Sequence, residues 1–181
     1  IVGLGLIGGS YARGLRRLGV DHIIAVDPDE KALQQAKQEG MVDDIYTAGT
    51  EALKQADLVI FCTAADVMIR FLAENKAFFT PGTILTDVAG IKGDTATAIA
   101  ALLPEGVDFV PGHPMAGREG RGYGMASADI FNGANYILVP MEGNDEDHIL
   151  AVKNMAMALG CSHVVRVTPE DHDRFIAYTS S

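Results

Sequence analysis

The run Gly3-Leu4-Gly5-Leu6-Ile7-Gly8 constrains this chain more than any other feature. Alone, G-x-G-x-x-G is a weak signal. Here it follows the apolar pair Ile1-Val2 and opens an amphipathic stretch over 6–18. A second apolar run, 22–26, then ends in Asp27, 19 residues past Gly8. Strand, glycine turn, helix, and a second strand closed by an acid about 20 residues on make the dinucleotide-binding fingerprint. Gly3 permits the tight turn. Gly5 lets the backbone, with Leu6 and Ile7 at the helix entry, approach a pyrophosphate. Gly8 lets helix and strands pack closely, and the positive end of the helix dipole faces the phosphates. Asp27 accepts from the adenosine ribose hydroxyls and repels a 2′-phosphate. Pro28, Asp29 and Glu30 add no arginine to welcome one, so NAD is expected over NADP.

Apolar runs of strand length alternate with helical stretches along most of the chain. Strands are expected at 1–3, 22–26, 45–46, 58–62, 83–87 and 108–110, with helices at 6–18, 29–39, 50–55, 66–77 and 92–103. Asp29, Thr50 and Asp66 stand where N-caps belong, and Gly19 and Gly40 where helices end. Such alternation implies an α/β fold: a Rossmann-type, doubly wound, mostly parallel sheet with helices on both faces. After it, 111–132 is glycine-rich and weakly periodic, the second place to look for chemistry. A strand over 136–139, a helix over 145–159 and a strand over 163–167 complete a dinucleotide-binding domain at 1–168. A new helix, with Thr168 as N-cap, opens at Pro169. The two-residue first strand implies strand residues upstream, and the helix is still under way at Ser181.

The formal net charge of −10 disfavours nucleic acid and anionic membranes as partners. No stretch reaches the ~18 apolar residues of a membrane span. Cys62 and Cys161 have no metal-binding or disulfide spacing, so no metal site is expected and a reducing cytoplasm is the default.

Two further loops end expected strands, at the edge where open α/β sheets bind ligands. Cys62-Thr63-Ala64-Ala65-Asp66 offers Thr63 and small residues. Asp87-Val88-Ala89-Gly90-Ile91-Lys92 offers Asp87, Gly90 and the charge of Lys92. Past the sixth strand comes Pro111-Gly112-His113-Pro114-Met115-Ala116-Gly117-Arg118-Glu119-Gly120. His113 is the candidate general base, because a neutral imidazole accepts a proton near neutral pH. Arg118 and Arg121 could attract an anionic substrate or simply be solvated. His148 and His172, in acidic helical contexts, are expected to be solvated. His22 and His163 flank strands.

GLGLIGGS over 3–10, the 87–92 loop, GHPMAGREGRGYGMASADIF over 112–131 and TPEDHDRFIAYTS over 168–180 together resemble the prephenate dehydrogenase family, including its arogenate-using members. The resemblance runs along essentially the whole chain, and the last two motifs are its specific part. It implies oxidative decarboxylation of prephenate to 4-hydroxyphenylpyruvate in tyrosine biosynthesis, with NAD or NADP. The loop histidine falls on His113 and takes the ring-hydroxyl proton. The loop glutamate falls on Glu119, in substrate or inhibitor recognition, beside Arg118. It also implies a following helical domain, of which 169–181 is the first helix, that forms a homodimer and binds a substrate carboxylate. One departure concerns the 87–92 loop, where many members carry a serine near the histidine. Here that position is Gly90, which leaves water or Thr86 to supply a hydroxyl. A β-hydroxyacid-type dehydrogenase and a non-catalytic nucleotide-binding regulator remain alternatives.

Overall fold

In the computed structural model, which describes residues 1–90 and 93–179, Val2 occupies the centre of a parallel sheet. On one side Val2 N–H donates to Ile60 O (2.9 Å) and Cys62 N–H donates to Val2 O (2.7 Å). On the other, Gly3 N–H donates to Val26 O (2.8 Å) and Val26 N–H to Ile1 O (2.9 Å). The expected strand at 1–3 is thus present as a single bridging position. Beyond Val26, β1 (Ile24–Val26) pairs with β2 (Asp44–Tyr46). Beyond Phe61, β3 (Leu58–Phe61) pairs with β4 (Ile84–Asp87), and β4 with β5 (Asp108–Val110), all parallel. The sheet therefore reads β2-β1-Val2-β3-β4-β5. Its winding reverses at Val2, the topological switch point beside which such sheets bind ligands.

The helices are α1 (Leu6–Arg17), α2 (Glu30–Gln38), α3 (Ala65–Asn75), α4 (Gly93–Leu102), α5 (Glu146–Leu159) and α6 (Pro169–Thr179). Period-2 alternation along the strands separates two cores. Val59 and Phe61 of β3 pack with Met68 and Leu72 of α3 and Ile99 of α4. Ile60, between them, faces Tyr11 of α1 and Val152 and Ala156 of α5. The doubly wound, mostly parallel architecture is as the alternating pattern implied. Asp29 caps α2 by accepting from the Lys31 and Ala32 N–H groups, and Asp145 caps α5 through Asp147 N–H. Gly19 and Gly40 follow their helices at φ +86° and +74°, where a side chain is disfavoured.

Some boundaries differ. Thr50 caps a short 3-10 turn, Glu51–Gln55. Ala64, not Asp66, holds the N-cap of α3, and Asp66 lies in the first turn, where its charge still opposes the dipole. No helix among the described residues is long and apolar enough to cross a membrane.

The largest departure is at 111–132. A second sheet is built from β6 (Gly112–Met115), β7 (Asn135–Leu138) and β8 (His163–Arg166), with β6 antiparallel and β8 parallel to β7. His113 therefore stands on a strand. The rest of the glycine-rich stretch includes 3-10 turns at Tyr123–Met125 and Ala128–Phe131. These lie on α1 so closely that a Cβ at Gly9 would meet Ala126 and Tyr123 carbons at 2.7 Å. Ser127 N–H donates to Ser10 Oγ (3.0 Å) across the same contact.

Candidate active site

The turn at Gly3 is made by close backbone contact. A Cβ at Gly8 would lie 1.9 Å from Gly3 O, and one at Gly3 would lie 2.5 Å from Cys62 O. A Cβ at Gly5 meets nothing within 4 Å, so this peptide is open to a ligand. Gly5 is the N-cap of α1, no side chain caps it, and no acid lies in the first turn. The first-turn N–H groups, which have no intrahelical acceptor, are left facing the opening with the positive dipole end behind them. This open, uncapped glycine cradle fits a pyrophosphate.

Beside it a cleft of about 550 Å³ is lined by Gly3, Gly5, Asp27, Thr63 and, from α3, Arg70 and Glu74. Thr47, Ala48 and Gly49, after β2, complete its far wall. The structure thus brings Gly3, Gly5, Asp27 and Thr63 together, with Leu6, Ile7 and Gly8 at the helix mouth. The 47–49 loop and Arg70 escaped sequence reasoning because neither forms a motif. Asp27 has a structural task as well: its Oδ2 accepts from Leu4 N–H (2.6 Å) and its Oδ1 from Asp29 N–H (2.7 Å), bracing the glycine turn. Each oxygen keeps a second lone pair for a ribose hydroxyl.

At the other end, Asp87 and His113 meet through the backbone. Asp87 is 1% exposed and lines no part of the cleft. Its Oδ1 accepts from Gly112 N–H (3.0 Å) and its Oδ2 from Ala89 N–H (3.0 Å). The carboxyl therefore clamps the end of β4 to the start of β6 and sets His113 over the same sheet edge. Burial pushes its pKa up to about 7, and the two N–H bonds only partly offset that.

His113 is half-buried. Its Nδ1 lies 3.1 Å from Nε2 of His172 on α6, the rings meeting edge to face at 70°. Burial, then the neighbouring His172, holds its pKa below 6.5 and keeps it neutral near pH 7. Gly90, at φ +64°, abuts the ring; a Cβ there would lie 2.7 Å from Nδ1. Thr86 does not serve the ring: its buried hydroxyl donates to Val110 O (2.7 Å), and the described bond of Nδ1 goes to His172 instead. The expectation of solvated histidines fails for His172, which is 1% exposed, and His148 is half-buried with Nδ1 2.9 Å from Asp108 Oδ2. His172 was missed because its acidic neighbours Glu170 and Asp171 face out while it faces in. Its spacing of four from Ile176, also partly buried, was the available signal.

Arg118, Glu119 and Arg121 are exposed beyond β6 and are not gathered onto His113. Lys92 lies outside the described residues.

A switch-point cleft, an open glycine cradle and a histidine at one sheet edge define the class: a Rossmann-type nucleotide-binding domain of an oxidoreductase. The family model for the nucleotide-binding domain of prephenate dehydrogenase matches residues 11–165, and the chain belongs to that family. It is 32% identical over 180 residues to the prephenate dehydrogenase of Bacillus subtilis, covering 96% of this chain and 47% of that protein. The crystal structure of prephenate dehydrogenase from A. aeolicus in complex with hydroxyphenyl propionate and NAD+ superposes with a TM-score of 0.87. It shares 26% identity over 97% of this chain and 61% of that one. Synechocystis arogenate dehydrogenase gives a TM-score of 0.90 and 31% identity over 99% of this chain and 62% of that one. The chain thus spans about half to two thirds of the length of these relatives.

Proposed function

We propose that this chain is the NAD-binding part of an enzyme that oxidises prephenate with loss of carbon dioxide, giving 4-hydroxyphenylpyruvate for tyrosine synthesis. The observation that carries this reading is His113: a neutral, half-buried imidazole at the carboxyl edge of the sheet, with one ring nitrogen anchored inside the protein.

The glycine cradle binds the pyrophosphate through the first-turn N–H groups of α1, at Gly5, Leu6, Ile7 and Gly8. Asp27 binds the adenosine ribose and, by like charge, rejects a 2′-phosphate, which favours NAD. Thr63 and the Gly90 end of the loop after β4 border the nicotinamide, while Asp87 acts from beneath by holding β4 to β6. When bound, NAD supplies the acceptor for the hydride that leaves the hydroxyl-bearing ring carbon. His113 takes the hydroxyl proton at Nε2. The electron pair released with carbon dioxide completes the aromatic ring, and the oxygen ends as a phenol after recovering a proton. Glu119, Arg118 and the Gly90 peptide border the substrate. The domain boundary falls at 168/169, with 169–181 opening a helical domain that closes the substrate site and makes the homodimer, in the cytoplasm.

Arogenate is the second reading, favoured by the likeness to the Synechocystis arogenate enzyme. Both substrates present the same ring hydroxyl to His113. Assaying the full-length protein with each substrate, and with NAD or NADP, decides between them. Reduction of NAD with prephenate, lost by about 10²–10⁴-fold in His113→Asn while NAD still binds, is expected. Full activity in that variant excludes His113 as the base. Turnover of neither substrate excludes both readings.

A further inference from the structure

One ring nitrogen of His113 meets a side chain from α6. Among the described residues, Nδ1 of His113 meets the Gly90 backbone, which has no side chain to offer, and Nε2 of His172 at 3.1 Å. A hydrogen bond between two imidazole nitrogens needs one proton between them, and its owner decides what His113 can do. With the proton on Nδ1 of His113, its Nε2 carries the lone pair and can accept from a substrate. With the proton on His172, the outer nitrogen of neutral His113 is already protonated and useless as a base. A nearby carboxylate biases this choice. Asp173 Oδ1 lies 3.9 Å from Nδ1 of His172 and favours N–H at that nitrogen. That leaves Nε2 of His172 as an acceptor.

We propose that His172 is the positioning residue of this site: its Nε2 accepts from Nδ1–H of His113 and so holds His113 in the tautomer that takes a proton at Nε2. The assignment rests on the reading of His113 as the base. It places a histidine from α6 at the ring nitrogen that abuts the bare Gly90 backbone. It also strengthens with the reaction, since a protonated His113 is a better donor to neutral His172 than a neutral one.

The test uses the full-length protein. Long-range proton–nitrogen spectra of 15N-histidine-labelled protein, with His113 assigned by its Asn variant, read the tautomer without any substrate. Steady-state kinetics with prephenate and NAD read the consequence. In the wild type His113 is expected as the Nδ1–H form. His172→Leu should lower kcat by about tenfold or more with the KM for NAD unchanged, and should release the Nε2–H form. His172→Gln, whose amide oxygen reaches the same place as Nε2, should recover kcat to within about threefold of wild type. An Nε2–H His113 in the wild type overturns the proposal, and so does unchanged kcat in His172→Leu. If His172→Leu does not fold, the wild-type spectrum and the Gln variant decide: a Gln variant with lost kcat and an unmoved tautomer overturns it. If the wild type turns over neither prephenate nor arogenate, the functional reading fails, while the spectrum still decides the hydrogen bond.

Discussion

Asp87 carries a cost that its position explains. Its carboxyl is buried to clamp β4 onto β6, and burial raises its pKa from 3.8 to about 7. Between those values the unfolded chain has released the proton and the folded one retains it. The stability Asp87 contributes is therefore full below about pH 4, falls as pH rises toward 7, and is level above. Asp87→Asn should flatten this fall: the difference in Tm between about pH 4.5 and about pH 7.5 should shrink relative to wild type. An unchanged difference would mean that Asp87 ionises normally. His113 titrates in the other sense. Its pKa is depressed below 6.5, so the base form persists into mildly acidic solution. The acid limb of kcat/KM in the full-length enzyme should have its midpoint below that value, since this limb reports the free enzyme's base. A midpoint at or above 6.5 would remove burial as the controlling influence.

At the level of elements, α1 separates two demands that one motif hides. Gly8 is needed because Gly3 O occupies the space of its Cβ; a Cβ at Gly5 would meet nothing in the protein and would intrude only on the proposed cofactor. Gly8→Ala should thus destabilise the chain by about 1–3 kcal/mol or more, an overpacking cost. Gly5→Ala should change stability by less than about 1 kcal/mol yet weaken NAD binding measurably. Thermal unfolding and cofactor titration of both variants check the split, and equal loss of stability in the two would contradict it. The same elements mark what was legible in the chain. The α/β alternation around 1–110 could be read because β3 is a continuous apolar run, β4 opens on Ile84-Leu85, and Asp29, Gly19 and Gly40 punctuate their helices by known geometry. β6 could not. Gly-His-Pro-Met has no strand period, and Pro114 is tolerated only because β6 is an edge strand paired on one side. His113 was legible as a residue, but its setting was not. The clamp from Asp87 and the ring of His172 reach it from 26 residues before and 59 residues after, and no local pattern records such contacts.

Over the whole molecule the two halves of the site are unequally built. The dinucleotide cleft is walled by the glycine turn, Asp27, the 47–49 loop and α3, all within residues 1–90. The proposed substrate side offers one half-buried histidine, with Arg118 and Glu119 turned to solvent. The chain also spans only 47% of the Bacillus subtilis enzyme. Binding of cofactor and turnover of substrate should therefore come apart in the 181-residue chain. Isothermal titration should give it an NAD affinity within about tenfold of the full-length protein, about 1.4 kcal/mol, because the cleft's walls lie within residues 1–90. Its NADH production from prephenate should be slower by about 10²-fold or more, since an unwalled substrate is neither oriented nor shielded from water. Turnover by the short chain at the full-length rate would show that residues 1–181 hold the whole substrate site, and would move Arg118 and Glu119 from the rim of the site to its floor.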